Sequence, residues 1–167
     1  MATRAIVSME EYLGTSYPDL DREYRDGEVV ERTLPDLLHS RAQSRLAAFF
    51  ERQRNRGTPL LACTELRVKL TETRCLIPDV AVFSPSLPAG SVPSTPPLIA
   101  IEIASPDDSF TEIREKLEEY RRWGVVYIWL VDPHARRLYV CTAALSEVAS
   151  FHLPEFDLHI GPEQIFD

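Results

Sequence analysis

LIAIEIA, residues 98–104, is an apolar run interrupted by one acid, Glu102. A strand that alternates apolar and polar residues wets one face, whereas one apolar at nearly every position is covered on both. The run therefore predicts a strand inside a sheet that has helices against it.

The neighbouring segments extend that reading. SPDDS (residues 105–109) breaks the strand, and Ser109-Phe-Thr-Glu112 is a capping box that opens a helix ending near Trp123-Gly124. VVYIWLVD (125–132) and RRLYVCT (136–142) predict two more strands around the turn Pro133-His134-Ala135. On the other side, residues 84–97 hold five of the thirteen prolines and form a surface loop between strand-like segments. CLIPDVAVF (75–83) and LLACTELRVKL (60–70) are predicted as strands, joined by a turn at residues 71–74. Before them, Leu38, Ala42, Leu46, Phe49 and Phe50 recur at helical spacing, with Pro35 in the first turn and Gly57 and Pro59 past the end. REYR and EVVERT flank Asp26-Gly27 as a hairpin, and Ser8-Met-Glu-Glu11 caps a short first helix. The tail from residue 146 carries little signal. Helices interspersed with strands in this order predict an α/β protein with a mixed β-sheet flanked by α-helices.

The 167 residues are enough for one domain, spanning 1–167, with a substantial core. The three cysteines are widely spaced with no CxxC pair, which excludes a disulfide framework and a zinc site. With no secretory layout at the start and no long apolar run, the expected location is cytoplasmic. The net charge of −8 argues against strong non-specific affinity for nucleic acid, yet leaves open a nuclease whose cleft carries its own field. The arginine clusters at 41–56 and 121–122 read as solvated helix faces.

Two acids stand where acids are costly. Glu102 interrupts an apolar strand and Asp79 lies between Ile77 and Val80, and a buried carboxylate needs a partner or a metal. On the helix at 110–123, Ile113, Leu117, Tyr120 and Trp123 form one arc, and Lys116 falls inside it. A lysine there either snorkels to water or meets a buried acid, and Glu102 is the nearest candidate. Like carboxylates held close repel, and a divalent cation relieves the repulsion. Asp79 and Glu102 are thus candidate ligands for Mg²⁺, with Mn²⁺ as substitute. The ion would polarise a phosphodiester and acidify a water that Lys116 orients. On composition and spacing alone, this site and a structural ion network both stand.

Pro78-Asp79 followed by Ile101-Glu102-Ile103 resembles the PD-(D/E)xK restriction-endonuclease-like superfamily. More narrowly, the chain resembles the bacterial Uma-type family of restriction-endonuclease-like proteins. The stretches that carry the likeness are MEEYL, REYRDGEVVE, His39, IPDVAVF, PPLIAIEIASP and EKLEEYRRWGVVYIWLVDP, spread over residues 8–141. The resemblance implies a restriction-endonuclease-like core, a divalent metal, DNA as substrate and a homodimer that cuts both strands. The superfamily lysine two residues after the glutamate is Ala104 here; in the Uma-type pattern it comes from the next helix, as Lys116. Glu28, in the DGE of the hairpin, is implied as a further catalytic acid, against an exposed hairpin carboxylate; Glu23 matches a family position too. His39 is a candidate for phosphate contact or proton transfer, against a structural role at the helix start. Two other readings remain: a non-catalytic nucleic-acid-binding or regulatory module, and an interaction domain that uses the loop at 84–97.

Overall fold

The computed structural model describes residues 6–17 and 21–167. Helix α1 (Met9–Gly14) starts where the Ser8 hydroxyl accepts the Glu11 N–H at 3.1 Å. Strands β1 (Arg22–Arg25) and β2 (Glu28–Glu31) then form the hairpin, and the positive φ angles of both Asp26 and Gly27 give its tight turn.

Helix α2 (Leu37–Asn55) departs from the expected arc at its first turn. Its N-cap is Asp36, whose carboxylate accepts the His39 N–H at 2.8 Å, so Pro35 lies outside the helix. With the start fixed there, His39, Ala42, Leu46, Phe49 and Phe50 make the buried stripe, and Leu38 turns outward. A histidine takes the place expected of a leucine.

The two long apolar segments before residue 84 each divide. Residues 60–70 split into β3 (Leu61–Thr64) and β4 (Val68–Thr71) because Glu65 takes a left-handed conformation, with φ 53°. CLIPDVAVF splits into β5 (Arg74–Leu76) and β6 (Val80–Phe83), which belong to different sheets. Ile77-Pro78-Asp79 carries the chain between them, and Pro78 has no N–H to give to a ladder.

Strand β7 (Ile99–Ile103) is buried along its whole length. Helix α3 (Phe110–Trp123) is capped by Ser109 and stopped by Gly124 at φ 102°. It forms the crossover to β8 (Tyr127–Asp132), which pairs parallel with β7; such a pair needs a long connection. The chain continues through β9 (Arg137–Cys141), β10 (Leu145–Val148), β11 (Phe151–Leu153), β12 (Leu158–Ile160) and α4 (Pro162–Ile165).

Three sheets result. Six strands run in the order β10-β9-β8-β7-β6-β3, four in the order β2-β1-β5-β4, and β11-β12 form a hairpin. Alternation along β7 divides the core: Ile99, Ile101 and Ile103 pack with α2, whereas Ala100 packs with Leu117 and Tyr120 of α3. The tail contributes more than expected. Phe151, Leu153, Ile160, Ile165 and Phe166 are buried in the α2-side core, and the Phe151 ring stacks on Trp129 with centroids 4.2 Å apart. No helix among the described residues is long and apolar enough to cross a membrane.

Because Phe151 is fully buried against Trp129, Phe151→Ala is expected to destabilise the fold by about 3–5 kcal/mol. Urea denaturation reads this directly, and a loss well under 1 kcal/mol would mean that the tail is not part of the core.

Candidate active site

The β6–β7 register pairs Val80 with Ile101, so one step beyond the end of β6 Asp79 comes opposite Glu102. Both carboxylates are buried, and both line a cleft of about 500 Å³ between the two larger sheets. A larger cavity of about 980 Å³ lies on the outer side of α3, against β9 and β10, away from these acids. Volume does not locate the chemistry here; the convergence of buried charges does.

Lys116 reaches the cleft floor from α3. Its ammonium donates to Glu102 Oε2 at 2.9 Å and to the Ile77 carbonyl at 2.9 Å, and it lies 2.6 Å from Glu23 Oε1. Three N–H donors thus meet three acceptors, which is what a buried ammonium requires. Tyr120, one turn after Lys116, donates its hydroxyl to Glu102 Oε1 at 2.8 Å. Glu23 Oε1 also accepts the Ile77 N–H at 2.9 Å, and its other oxygen takes Arg25 at 3.0 Å.

Asp79 has its own partners. Oδ2 accepts the Ile103 N–H at 2.7 Å and faces His39 Nε2 at 3.3 Å. Oδ1 accepts Arg32 Nη2 at 2.5 Å. Arg32 Nη1 bonds Glu65 Oε2, and Gln43 donates to the other Glu65 oxygen at 2.5 Å and to the Asp79 carbonyl at 2.9 Å. Among the described residues, His39 Nδ1 is buried without a hydrogen-bond partner.

The electrostatics separate the acids. Burial raises the Asp79 pKa, but the His39 hydrogen bond and the Arg32 charge outweigh it and hold the carboxyl below its ordinary value. Glu23 is likewise held low: burial opposes ionisation, and the charge and hydrogen bond of Lys116 overcome it. Glu102 goes the other way. Burial, with the Asp79 charge added, pushes it up to about 7 against the pull of Lys116. Of the two glutamates on the Lys116 ammonium, Glu23 keeps its charge and Glu102 gives it up first. Burial works to lower the His39 pKa, yet its bond to Asp79 raises it above the ordinary histidine value.

The sequence-derived residues therefore divide. Asp79, Glu102, Lys116 and His39 share one cleft. Glu28 does not line it: it sits exposed at the turn end of the hairpin, opposite Arg25. The hairpin acid that enters is Glu23, on the face of β1 opposite to Tyr24, which packs on Tyr12. Arg32, Tyr120, Glu65 and Gln43 were not singled out. Tyr120 could have been found from its place four residues after Lys116, whereas Arg32, just past β2, leaves no periodic signal. Part of the first arginine cluster is engaged with the tail: Arg41 and Arg45 pair with Asp167, and Arg45 bonds the carbonyls of residues 163 and 164.

A divalent metal is the group such a site implies. Among the described residues no three His, Cys, Asp or Glu side chains converge as a cage. Two carboxylates do suit Mg²⁺, which keeps several waters and takes one or two acidic ligands. Asp79 Oδ2 already accepts two donors, whereas Asp79 Oδ1 and both Glu102 oxygens accept one each and keep a second lone pair; a cation on Asp79 Oδ1 would displace Arg32.

A solved structure from Anabaena variabilis ATCC 29413, described as a "putative nuclease belonging to DUF820", is 23% identical. The match covers 95% of this chain and 97% of that one, with a TM-score of 0.77. The two share a restriction-endonuclease-like mixed α/β fold. The chain belongs to the Uma2 family, "Putative restriction endonuclease", whose model matches residues 9–160. No curated protein matches it.

Glu102 has a stability consequence. Its folded-state pKa lies above the ordinary 4.5, so between about pH 4.5 and 7 the folded chain holds a proton that the unfolded chain releases. Its contribution to stability falls as pH rises through that window. Those of Glu23 and Asp79, both held low, are lost on acidification instead. In metal-free buffer, Glu102→Gln is expected to gain stability relative to the native chain as pH goes from about 5 to 7. Urea midpoints across the range report this; a constant difference would show that Glu102 ionises at its ordinary pH.

Proposed function

We propose that this chain is a metal-dependent endonuclease that hydrolyses phosphodiester bonds in DNA, with Asp79 and Glu102 holding Mg²⁺, or Mn²⁺ in its place. One observation carries the reading: Lys116 is buried against Glu102 on the floor of an open cleft that Asp79 also lines. Such a cluster of shifted ionisable groups, reachable by solvent, is a functional-site signature. The family and the structural relative, both described as nucleases, support the same class.

When bound, the ion supplies Lewis-acid polarisation of a phosphoryl oxygen and a water of lowered pKa. The chain's own residues do the rest. Lys116 brings a fixed positive charge to the cleft floor, where it offsets negative charge building on phosphorus. Glu23 and the Ile77 carbonyl keep it in place, so one donor can leave Glu102 for the attacking water without freeing the side chain. Tyr120 holds Glu102 through its second oxygen. His39 anchors on Asp79 through Nε2 and helps keep that carboxyl ionised. Glu28, exposed at the hairpin turn, has no part in this scheme. The DNA reading includes a homodimer, one copy for each strand.

A second reading is a module that binds nucleic acid without cleaving it. It is favoured by the pairing already present, since Asp79, Glu23 and Glu102 each have a protein cation in contact.

Calorimetric titration of Mg²⁺ and Mn²⁺ is expected to give saturable heats for the native chain and none for Asp79→Ala. Nicking of supercoiled plasmid should fall by about 100-fold or more in Asp79→Ala and in Lys116→Met. No metal heat for the native chain, or the same heat in both proteins, would sink the nuclease reading. DNA binding by both without cleavage would establish the second.

A further inference from the structure

Arg32 lines the cleft and grips Asp79, yet the mechanism above leaves it unused. It follows directly on β2, and its side chain turns inward until only 18% of it is exposed. The planar fork straddles two acids from separate segments, with Nη2 on Asp79 Oδ1 at 2.5 Å and Nη1 on Glu65. The opposite Asp79 oxygen is committed to the Ile103 N–H and to His39. Arg32 thus covers the Asp79 oxygen that is free of backbone, the one a cation arriving from the cleft would use. Glu65 is itself steadied by Gln43, so the acceptor that remains for Arg32 is fixed in place.

A guanidinium and a divalent cation cannot share one carboxylate oxygen without strong repulsion, because they are like charges at contact distance. Displaced from Asp79, Arg32 keeps Glu65 on Nη1 and has Nη2 left without an acceptor. A guanidinium N–H freed in this way inside the cleft can donate to a phosphodiester oxygen. We propose that Arg32 stands in for the metal on Asp79 and, when the metal arrives, transfers to a backbone phosphate of the nucleic acid. This rests on the nuclease reading of the cleft. It makes Arg32 a counter-ion before binding and a substrate-binding residue after it.

The test compares the full chain with Arg32→Met in two binding measurements, neither of which depends on cleavage. In Mn²⁺ calorimetry without DNA, the variant loses the competing cation and is expected to bind roughly 10-fold more tightly. In fluorescence anisotropy with a short labelled duplex and Ca²⁺, it is expected to bind more weakly. The slope of log affinity against log salt should also shrink by about one. Arg32→Gln keeps a donor for Asp79 and drops the charge. It should shift both measurements in the same directions, and it serves if the Met variant does not fold. Mn²⁺ affinity equal to or below that of the native chain in the folded variants overturns the exchange, as does an unchanged salt slope. Native chain that binds Mn²⁺ while the variants show no gain removes this inference alone. Native chain that binds no metal removes the nuclease reading and this inference with it.

Discussion

One buried ammonium organises this molecule. Lys116 touches Glu102 of β7, Glu23 of β1 and the Ile77 carbonyl between β5 and β6, so a single atom joins α3 to three stretches of chain. Burying a charge is tolerable only when every donor is met, and removing one partner of such a pair typically costs about 3–5 kcal/mol. That constraint fixes the rotation of α3, which aims Leu117 and Tyr120 inward along with Lys116. It also fixes the seating of the hairpin, since Glu23 has to face the cleft while Tyr24 packs on Tyr12 behind it.

The charges are arranged as two neighbouring accounts of attraction and repulsion. On one side Asp79 is held by Arg32, His39 and a backbone N–H; on the other, Glu23 and Glu102 share Lys116. Of the two acids on this ammonium, Glu102 is the one whose pKa is raised, by burial and by the neighbouring charges of Asp79 and Glu23. The net charge of −8 says little about this place. What a phosphate would meet is a local mixture of Arg25, Arg32, His39 and Lys116 set among the acids.

Much of this was legible in the sequence, and the reasons are specific. Glu102 and Lys116 were visible because each breaks an apolar pattern of known period, two for the strand and 3.6 for the helix. Asp79 was visible for the same reason. The division of CLIPDVAVF was not, because a continuous apolar run reads alike whether it stays in one sheet or passes to another. Glu28 was favoured over Glu23 by the family resemblance, whereas the face that each strand residue takes depends on what packs behind it. His39 displaced Leu38 from the buried stripe because the Asp36 cap sets the helix phase and because a carboxylate waits for the imidazole. Arg32 left no trace, since its partners are 33 and 47 residues away in sequence.

The passage at Ile77-Pro78-Asp79 has a mechanical side. It is one of the passages between the four-stranded and six-stranded sheets, and the cleft is the gap between those two jaws. Lys116 rivets the jaws together, with one glutamate on each. Separating the two sheets would therefore draw the Lys116 ammonium away from one of its two glutamates.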